Sequence, residues 1–441
     1  MPDARDKSVP NEHHVHRTGH WLSQDKRHHH KFLSSTIDTV DQNPKPLHPV
    51  LKEFKEMVDK DTRLTMLFAL MFDQIPYAKK YLTDAVGEQK QVRDFDHMLA
   101  CLNHVLTTAP QWTDAGHKAG LVGVPINALL DWPMGTKGGF AVFQDPQVNA
   151  QFKKILNVWG EFLSSPSSSY VLGSDDISWF SPHGLAALEE VANNGGTTSA
   201  KFPEMYHCDP SAEHYGYKSW DDFFTRELHP EFRPIASPDD DNVIANACES
   251  TLYKVARNVH ARDKFWIKGQ PYSVLDMLAF DQLADQFVGG TIYQAFLSAL
   301  SYHRWHSPIT GTIKKAFVVD GTYYSEPLFE DFVQDKSADP HGETTSQEYI
   351  SAVATRAIIF IEADNPKIGL MAFIGIGMTE VSTCDITVKE GQKVKKGEQL
   401  GMFHFGGSSH AQLYRKGVKL SGFPEETGHN VAVRSKLCVV E

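Results

Sequence analysis

The segment Leu400-Gly401-Met402-Phe403-His404-Phe405-Gly406-Gly407-Ser408-Ser409-His410 constrains this chain more than any other. Its first half reads as a β-strand, because the alternation of Phe403 and Phe405 places both rings on one face. Two glycines then interrupt it. Without Cβ atoms, Gly406 and Gly407 admit backbone angles closed to other residues and leave the Gly407 carbonyl open to approach. Ser408 Oγ and that carbonyl form a candidate reactive pair. Taken alone, the segment is better described as a strand ending in a Gly-Gly-Ser-Ser turn, because short glycine-serine turns are common.

A second segment, Tyr302-His303-Arg304-Trp305-His306-Ser307-Pro308, adds two groups able to exchange protons near neutral pH, which a serine nucleophile requires. Residues three apart face opposite sides of a regular strand. His303 and His306 therefore serve one site only if the backbone bends near Ser307-Pro308.

These two segments, with Tyr217-Lys218-Ser219-Trp220-Asp221-Asp222-Phe223-Phe224-Thr225-Arg226, resemble in content and order the three signature segments of phosphatidylserine decarboxylases. The resemblance continues through Ile267-Lys268-Gly269 with Tyr272, Gly377-Met378-Thr379-Glu380-Val381 and Lys396-Gly397-Glu398-Gln399-Leu400-Gly401, and covers roughly the second half of the chain.

The chain has 441 residues, ample for about three domains and a sizeable core. Lys plus Arg number 43 against 55 Asp plus Glu, and the net charge of −12 argues against a general nucleic-acid binder or a protein of anionic membrane surfaces. The five cysteines are scattered and lack Cys-x-x-Cys spacing, so neither a disulfide framework nor a zinc site is indicated, and a reducing, cytoplasmic setting is expected. No apolar run approaches the ~20 residues of a membrane span, so no stable membrane anchor is expected.

Residues 1–45 are polar and rich in histidine and are expected to be disordered, with no carboxylate or cysteine completing a metal site. From Pro49 the apolar residues take helical period: Val50, Leu51, Phe54, Met57 and Val58 share one face. Leu64 to Phe72, Phe95 to Leu106, Val148 to Leu163 and Gly184 to Val191 read likewise, giving a helical domain over 46–205. This half resembles the extension of a fungal branch of the family, to which the L-tryptophan decarboxylase of psilocybin biosynthesis belongs. The likeness rests on Gly19-His20-Trp21-Leu22, Glu53-Phe54-Lys55, Trp159-Gly160-Glu161-Phe162-Leu163-Ser164-Ser165 and Tyr215-Gly216-Tyr217.

Residues 206–441 read as short strands separated by turns, with a hairpin joining Ile358–Ile361 to Gly369–Ile376 through Asp364-Asn365-Pro366-Lys367. The expected fold class is α+β. Asp335–Glu348 reads as a polar loop long enough to act as a lid. Val388–Gly401 has the Gly-spaced form of lipoyl and biotinyl carrier domains but lacks their modifiable lysine motif, so a non-enzymatic carrier-like module, or an unprocessed relative, stands as an alternative of a different class.

The family resemblance implies a specific chemistry. Ser408 attacks the Gly407 carbonyl, the chain is cut at Gly407-Ser408, and Ser408 becomes a covalent pyruvoyl group, with the two fragments remaining associated. That group condenses with a primary amine as a Schiff base and accepts the electrons released as carbon dioxide leaves, so no pyridoxal phosphate (PLP) is needed. His306 matches the histidine that activates the serine, His303 the one implicated in the substrate reaction, and Ser409 stands at a threonine that donates or positions. The chain departs from the pattern at the orienting acid: Ala247-Cys248-Glu249 replaces Ala-Asp-Gly, and Ser301 replaces a common aspartate. Glu249 is the candidate to supply the carboxylate. The expected substrate is a small-molecule amino acid, aromatic and with L-tryptophan foremost, with phosphatidylserine as the alternative.

Overall fold

The computed structural model describes residues 26–75, 92, 94–119, 122–193, 198–263, 272–325, 347–380, 383–405, 408–425 and 430–441. The first half is helical. Pro49–Asp59, Thr62–Asp73, Phe95–Val105, Pro125–Met134, Lys137–Gln144, Pro146–Leu163 and Pro182–Asn193 are its longer helices after residue 45. Several begin where a side chain accepts the amide protons that a first turn leaves unpaired: Asp61 takes Arg63 and Leu64, Asp94 takes His97, and Asp145 takes Gln147 and Val148.

The arm expected to be disordered is corrected in part. Residues 1–25 lie outside the described residues, but Lys26–Gln42 is a helix whose Leu33, Ile37 and Val40 are buried. Those three residues keep helical spacing in a stretch whose composition is dominated by polar and histidine residues, and burial against the helical half outweighs that composition. The loop expected over Asp335–Glu348 falls outside the described residues up to 346, and Gln347 and Glu348 open the helix Gln347–Val353.

The second half contains β1 (Val243–Ala245), β2 (Ser250–Arg257), β3 (Thr291–Leu297), β4 (Arg304–His306), β5 (Gly311–Val319), β6 (Arg356–Ala363), β7 (Leu370–Gly377), β8 (Thr383–Ile386), β9 (Lys393–Val394), β10 (Gln399–His404), β11 (Ser408–Tyr414), β12 (Leu420–Ser421), β13 (Asn430–Val431) and β14 (Lys436–Val440). Eight of these form an antiparallel sheet in the order β13-β2-β3-β11-β7-β6-β5-β9, and β4-β10-β8 form a small one. The expected hairpin is the antiparallel pair β6 and β7. In the carrier-like stretch, Gly391 and Gly397 adopt φ of 81° and 83°, which glycine takes at no steric cost.

Period-2 alternation gives the large sheet two apolar faces. Tyr293, Ala295, Leu297 and Phe373 join a core that runs on through Trp305 and Phe403 into the helical half, at Trp159 and Trp220. Ile292, Phe296, Ile374, Ile376 and Leu413 face a second cluster with Tyr272, Met277, Phe287 and Ile350. Helical and β-rich halves thus share apolar cores. Polar contacts join them as well: Asn149 Oδ1 accepts from Tyr323 N (3.2 Å), and Gln144 Nε2 donates to Ser325 Oγ (2.8 Å).

Candidate active site

Ser408 begins β11, in the middle of the large sheet, opposite Leu297 of β3 and Gly377 of β7. Leu297 belongs to the core that contains Trp305 and Phe403, so Ser408 shares that face, and Ser409, opposite Phe296 and Ile376, takes the other. Ser408 is 1% exposed, and among the described residues its Oγ has no hydrogen-bond partner. A buried hydroxyl without such a partner forfeits the water it would otherwise bind, so among the described residues this oxygen has no structural work to do. Gly406 and Gly407 lie outside the described residues.

His303 is tied to the same place. Its Nε2 donates to the carbonyl of Ser298, the residue after Leu297, at 3.0 Å, and its own carbonyl accepts from Phe403 N at 3.0 Å. With the proton on Nε2, Nδ1 carries the lone pair, and Nδ1 is buried without a partner among the described residues. The ring stacks on Phe224 at 4.2 Å, and Phe224 stacks on Trp220 at 4.9 Å. Arg226, two residues after Phe224, donates through Nη2 to the carbonyls of Leu300 and Ser301 and fixes the loop leading into His303. Burial, with the Arg226 charge in second place, pushes the His303 pKa down to about 3, so the imidazole is neutral. Ser301 is held to Ser298 through their hydroxyls at 3.3 Å.

His306 is placed elsewhere. Its Nε2 meets Tyr302 Oη at 2.8 Å, and its Nδ1 meets the Gly397 carbonyl at 2.9 Å, so both nitrogens are engaged away from Ser408. Burial, then the Arg434 charge, lowers its pKa to about 3. His303 sits just before β4 and His306 at its far end, and the partners of the two rings differ.

Glu249, expected to orient the base, contacts neither histidine. Its carboxylate receives Arg233 Nε at 2.9 Å and Nη2 at 2.6 Å, together with Val433 N at 2.9 Å and the Asn430 amide. Both members of the ion pair are buried, which makes it structural. Arg233→Ala strands that carboxylate and is expected to lower the unfolding free energy by about 3–5 kcal/mol in denaturant titrations, with the chemistry at Ser408 spared in the folded fraction. Lost chemistry at unchanged stability would restore Glu249 to the site.

The opposite face carries groups that sequence reading missed. Ser409 Oγ donates to Gln347 Oε1 at 2.9 Å, and Gln294 Nε2 reaches Gln347 Oε1 at 3.1 Å and Ser409 Oγ at 3.3 Å. No local signal joins these three, because they come from distant segments. His410 was missed as well, although strand period, once β11 is known to start at Ser408, puts it on the face of Ser408. Its Nε2 meets Ser250 Oγ at 3.0 Å, and burial lowers its pKa to about 3. Glu380, three residues beyond Gly377, is fully buried, and one carboxylate oxygen accepts the amides of Ile126 (2.5 Å) and Asn127 (2.9 Å) at the start of the Pro125–Met134 helix. Burial raises its pKa to about 7, even though those amides favour the ionised form.

Sequence models described as phosphatidylserine decarboxylase match residues 48–188 and 220–437. The decarboxylase iboD of Amanita muscaria is 45% identical over 327 residues, covering 72% of this chain and 91% of that protein. The L-tryptophan decarboxylase of Psilocybe cubensis is 35% identical over 410 residues, 90% of this chain and 88% of that one. Phosphatidylserine decarboxylase proenzyme 3 of Schizosaccharomyces pombe is 28% identical over 216 residues, 49% of this chain and 20% of that protein. The chain belongs to the phosphatidylserine decarboxylase family and is a carboxy-lyase. Within that family it falls in the branch that resembles the fungal L-tryptophan decarboxylases. Among the described residues, no helix is long and apolar enough to cross a membrane.

Proposed function

We propose that this protein cuts itself at Gly407-Ser408 and then decarboxylates an aromatic L-amino acid, L-tryptophan foremost, to the amine and carbon dioxide. The observation that carries the substrate reading is the extent of the match: the L-tryptophan decarboxylase likeness covers 90% of this chain and 88% of that one, while the Schizosaccharomyces pombe phosphatidylserine decarboxylase proenzyme 3 matches 49% of this one.

The residues present fit a pyruvoyl group derived from Ser408, because Ser408 offers a buried hydroxyl that no other described residue uses. Such a group supplies a ketone that captures a primary amine and an adjacent carbonyl that draws electrons as carbon dioxide departs. In the self-cleavage, Ser408 Oγ forms a bond to the Gly407 carbonyl carbon as the Gly407-Ser408 amide breaks, giving an ester that still joins the two segments. His303 takes the hydroxyl proton at Nδ1, is held in the matching tautomer by the Ser298 carbonyl, and passes the proton to the Ser408 nitrogen that the broken amide frees. Loss of the Ser408 Cα proton then breaks the Cβ–Oγ bond, leaving Gly407 as a carboxylate and residue 408 as a dehydroalanine, which takes up water and loses ammonia to leave the ketone. This assigns to His303 the role that the resemblance gave to His306. Trp220, Phe224 and Phe405 exclude water around it. Glu380, titrating near neutrality, is a second group able to hold or move a proton at pH 7.

The reading is tested by carbon dioxide release from tryptophan, tyrosine, phenylalanine and phosphatidylserine in parallel. Tryptophan is expected to be turned over fastest, and phenylhydrazine, which traps ketones, is expected to abolish all turnover. Phosphatidylserine is the second reading because the family models carry its name. Turnover of the lipid alone would reverse the order. Indifference to phenylhydrazine would favour the carrier-like or unprocessed alternative.

A further inference from the structure

Phe405 has φ of +67°, a left-handed backbone that a bulky aromatic residue rarely adopts and that its surroundings must enforce. It stands three residues before Ser408. Its ring is buried, 5.9 Å from Trp159 and 6.4 Å from Trp220. A Cβ placed on Gly160 would lie 2.8 Å from Phe405 Cζ and 3.1 Å from Cε2, closer than such atoms approach. Gly160 lies inside the Pro146–Leu163 helix, where glycine weakens a helix relative to alanine. The missing methyl group is therefore space for the Phe405 ring. Trp159 and Gly160 belong to the Trp159–Ser165 motif of the extension, to which the decarboxylation chemistry assigns no role.

We propose that the Pro146–Leu163 helix is an internal positioning device for self-cleavage: Trp159 and Gly160 seat the Phe405 ring, and the seated ring holds the backbone from which the chain reaches the Gly407-Ser408 bond. This rests on the self-cleavage reading and extends it to the helical half. The bond is bracketed by two anchors. Phe405 is fixed on the side before it by the aromatic seat, and Ser408 on the side after it by its register with Leu297 and Gly377. Attack of Oγ on the preceding carbonyl, with the C–N bond breaking and the hydroxyl proton passing through His303 to the departing nitrogen, needs both ends aligned at once. Phe405, Trp159 and Gly160 act through that alignment and are positioning residues.

The test follows cleavage in the full chain by intact-protein mass spectrometry, from synthesis onward, beside thermal melting. The wild-type chain is expected to be converted to two fragments. Gly160→Ala is expected to slow conversion at least tenfold while melting at the same or a higher temperature, since alanine favours the helix. Gly160→Ala combined with Phe405→Leu, which removes the far end of the ring, is expected to cleave faster than Gly160→Ala alone. Equal rates for wild type and Gly160→Ala overturn the positioning inference and leave self-cleavage standing. Slow conversion with lowered melting and no recovery in the double variant overturns it as well, because that is a packing defect. A wild-type chain that stays uncut overturns the self-cleavage reading, and this inference with it.

Discussion

Ser408→Ala is expected to remain one 49.4 kDa polypeptide and to release no carbon dioxide, whereas the wild-type chain resolves into residues 1–407 and 408–441, the smaller with an N-terminus lacking a free amine. The substitution removes the only atom proposed to attack the Gly407 carbonyl. Ordinarily, deleting a buried hydroxyl breaks hydrogen bonds and confounds the result with unfolding, but Ser408 Oγ has no partner to lose among the described residues. Its removal relieves a desolvated polar group, so the stability of Ser408→Ala should match or exceed that of the uncut wild type, to within ~1 kcal/mol. Loss of cleavage in a fully folded chain is then a chemical result. Replacing His303 by glutamine is expected to slow cleavage by ~10²–10⁴, the usual worth of a positioned base. His306→Gln is expected to affect stability first, because both of its ring nitrogens hold the fold together. The opposite ranking of the two histidines, measured by intact mass in folded protein, would return the base to His306. An active wild-type enzyme that remains uncut would eliminate the pyruvoyl mechanism.

Between pH 6.5 and 4 the folded chain is expected to lose most of its stability. His303, His306 and His410 are fully buried, and burial lowers each from 6.5 to about 3. Across that window the unfolded chain binds three protons that the folded chain refuses. Stability therefore falls as pH falls, by up to roughly 4 kcal/mol per pH unit. Glu380 works in the opposite direction. With its pKa raised from 4.5 to about 7, the folded chain keeps a proton that the unfolded chain has released, and this offsets one of the three between pH 7 and 4.5. The net loss there is roughly 3 kcal/mol per pH unit, steepening below 4.5. Against a typical stability of about 5–15 kcal/mol, acid unfolding is expected near pH 4. Glu380→Gln removes the offset, so its stability should fall more steeply between pH 7 and 4.5 and exceed wild type at pH 8 by up to ~3 kcal/mol. Denaturant midpoints measured from pH 8 to 4 check both signs. A flat profile above pH 4.5 would mean that the histidines are hydrated and charged.

Much of this protein was legible because the signal is local. The strand before Gly406 and the β6–β7 hairpin follow from period-2 alternation and turn residues, properties that a short stretch carries in itself, whereas the strand that starts at Ser408 and puts His410 on the same face was not read from the sequence. The helices Pro49–Asp59, Thr62–Asp73, Phe95–Val105 and Pro146–Leu163 follow in the same way from apolar spacing, while Pro125–Met134 and Lys137–Gln144 were not read from it. Lys26–Gln42 escaped because its three buried residues, Leu33, Ile37 and Val40, are a weak signal in a histidine-rich background, and only the surface they pack against makes the helix.

The sequence by itself determined that a serine follows two glycines at the end of a strand, that two histidines accompany it, and that an orienting aspartate is missing. Tertiary structure decided which groups can act, because a side chain's chemistry depends on which of its atoms are already bonded. Ser298 and Gly397 both offer a backbone carbonyl to a histidine; the first leaves His303 an Nδ1 with no partner among the described residues, and the second, with Tyr302, leaves His306 none. Arg233 takes the Glu249 carboxylate out of the chemistry from sixteen residues away. Gly160 looks like an unexplained weak point in a helix until Phe405, from the other half of the chain, is seen to fill the space its side chain would have taken. None of these pairings leaves a local pattern, since each depends on two segments brought together only by burying the cores they share.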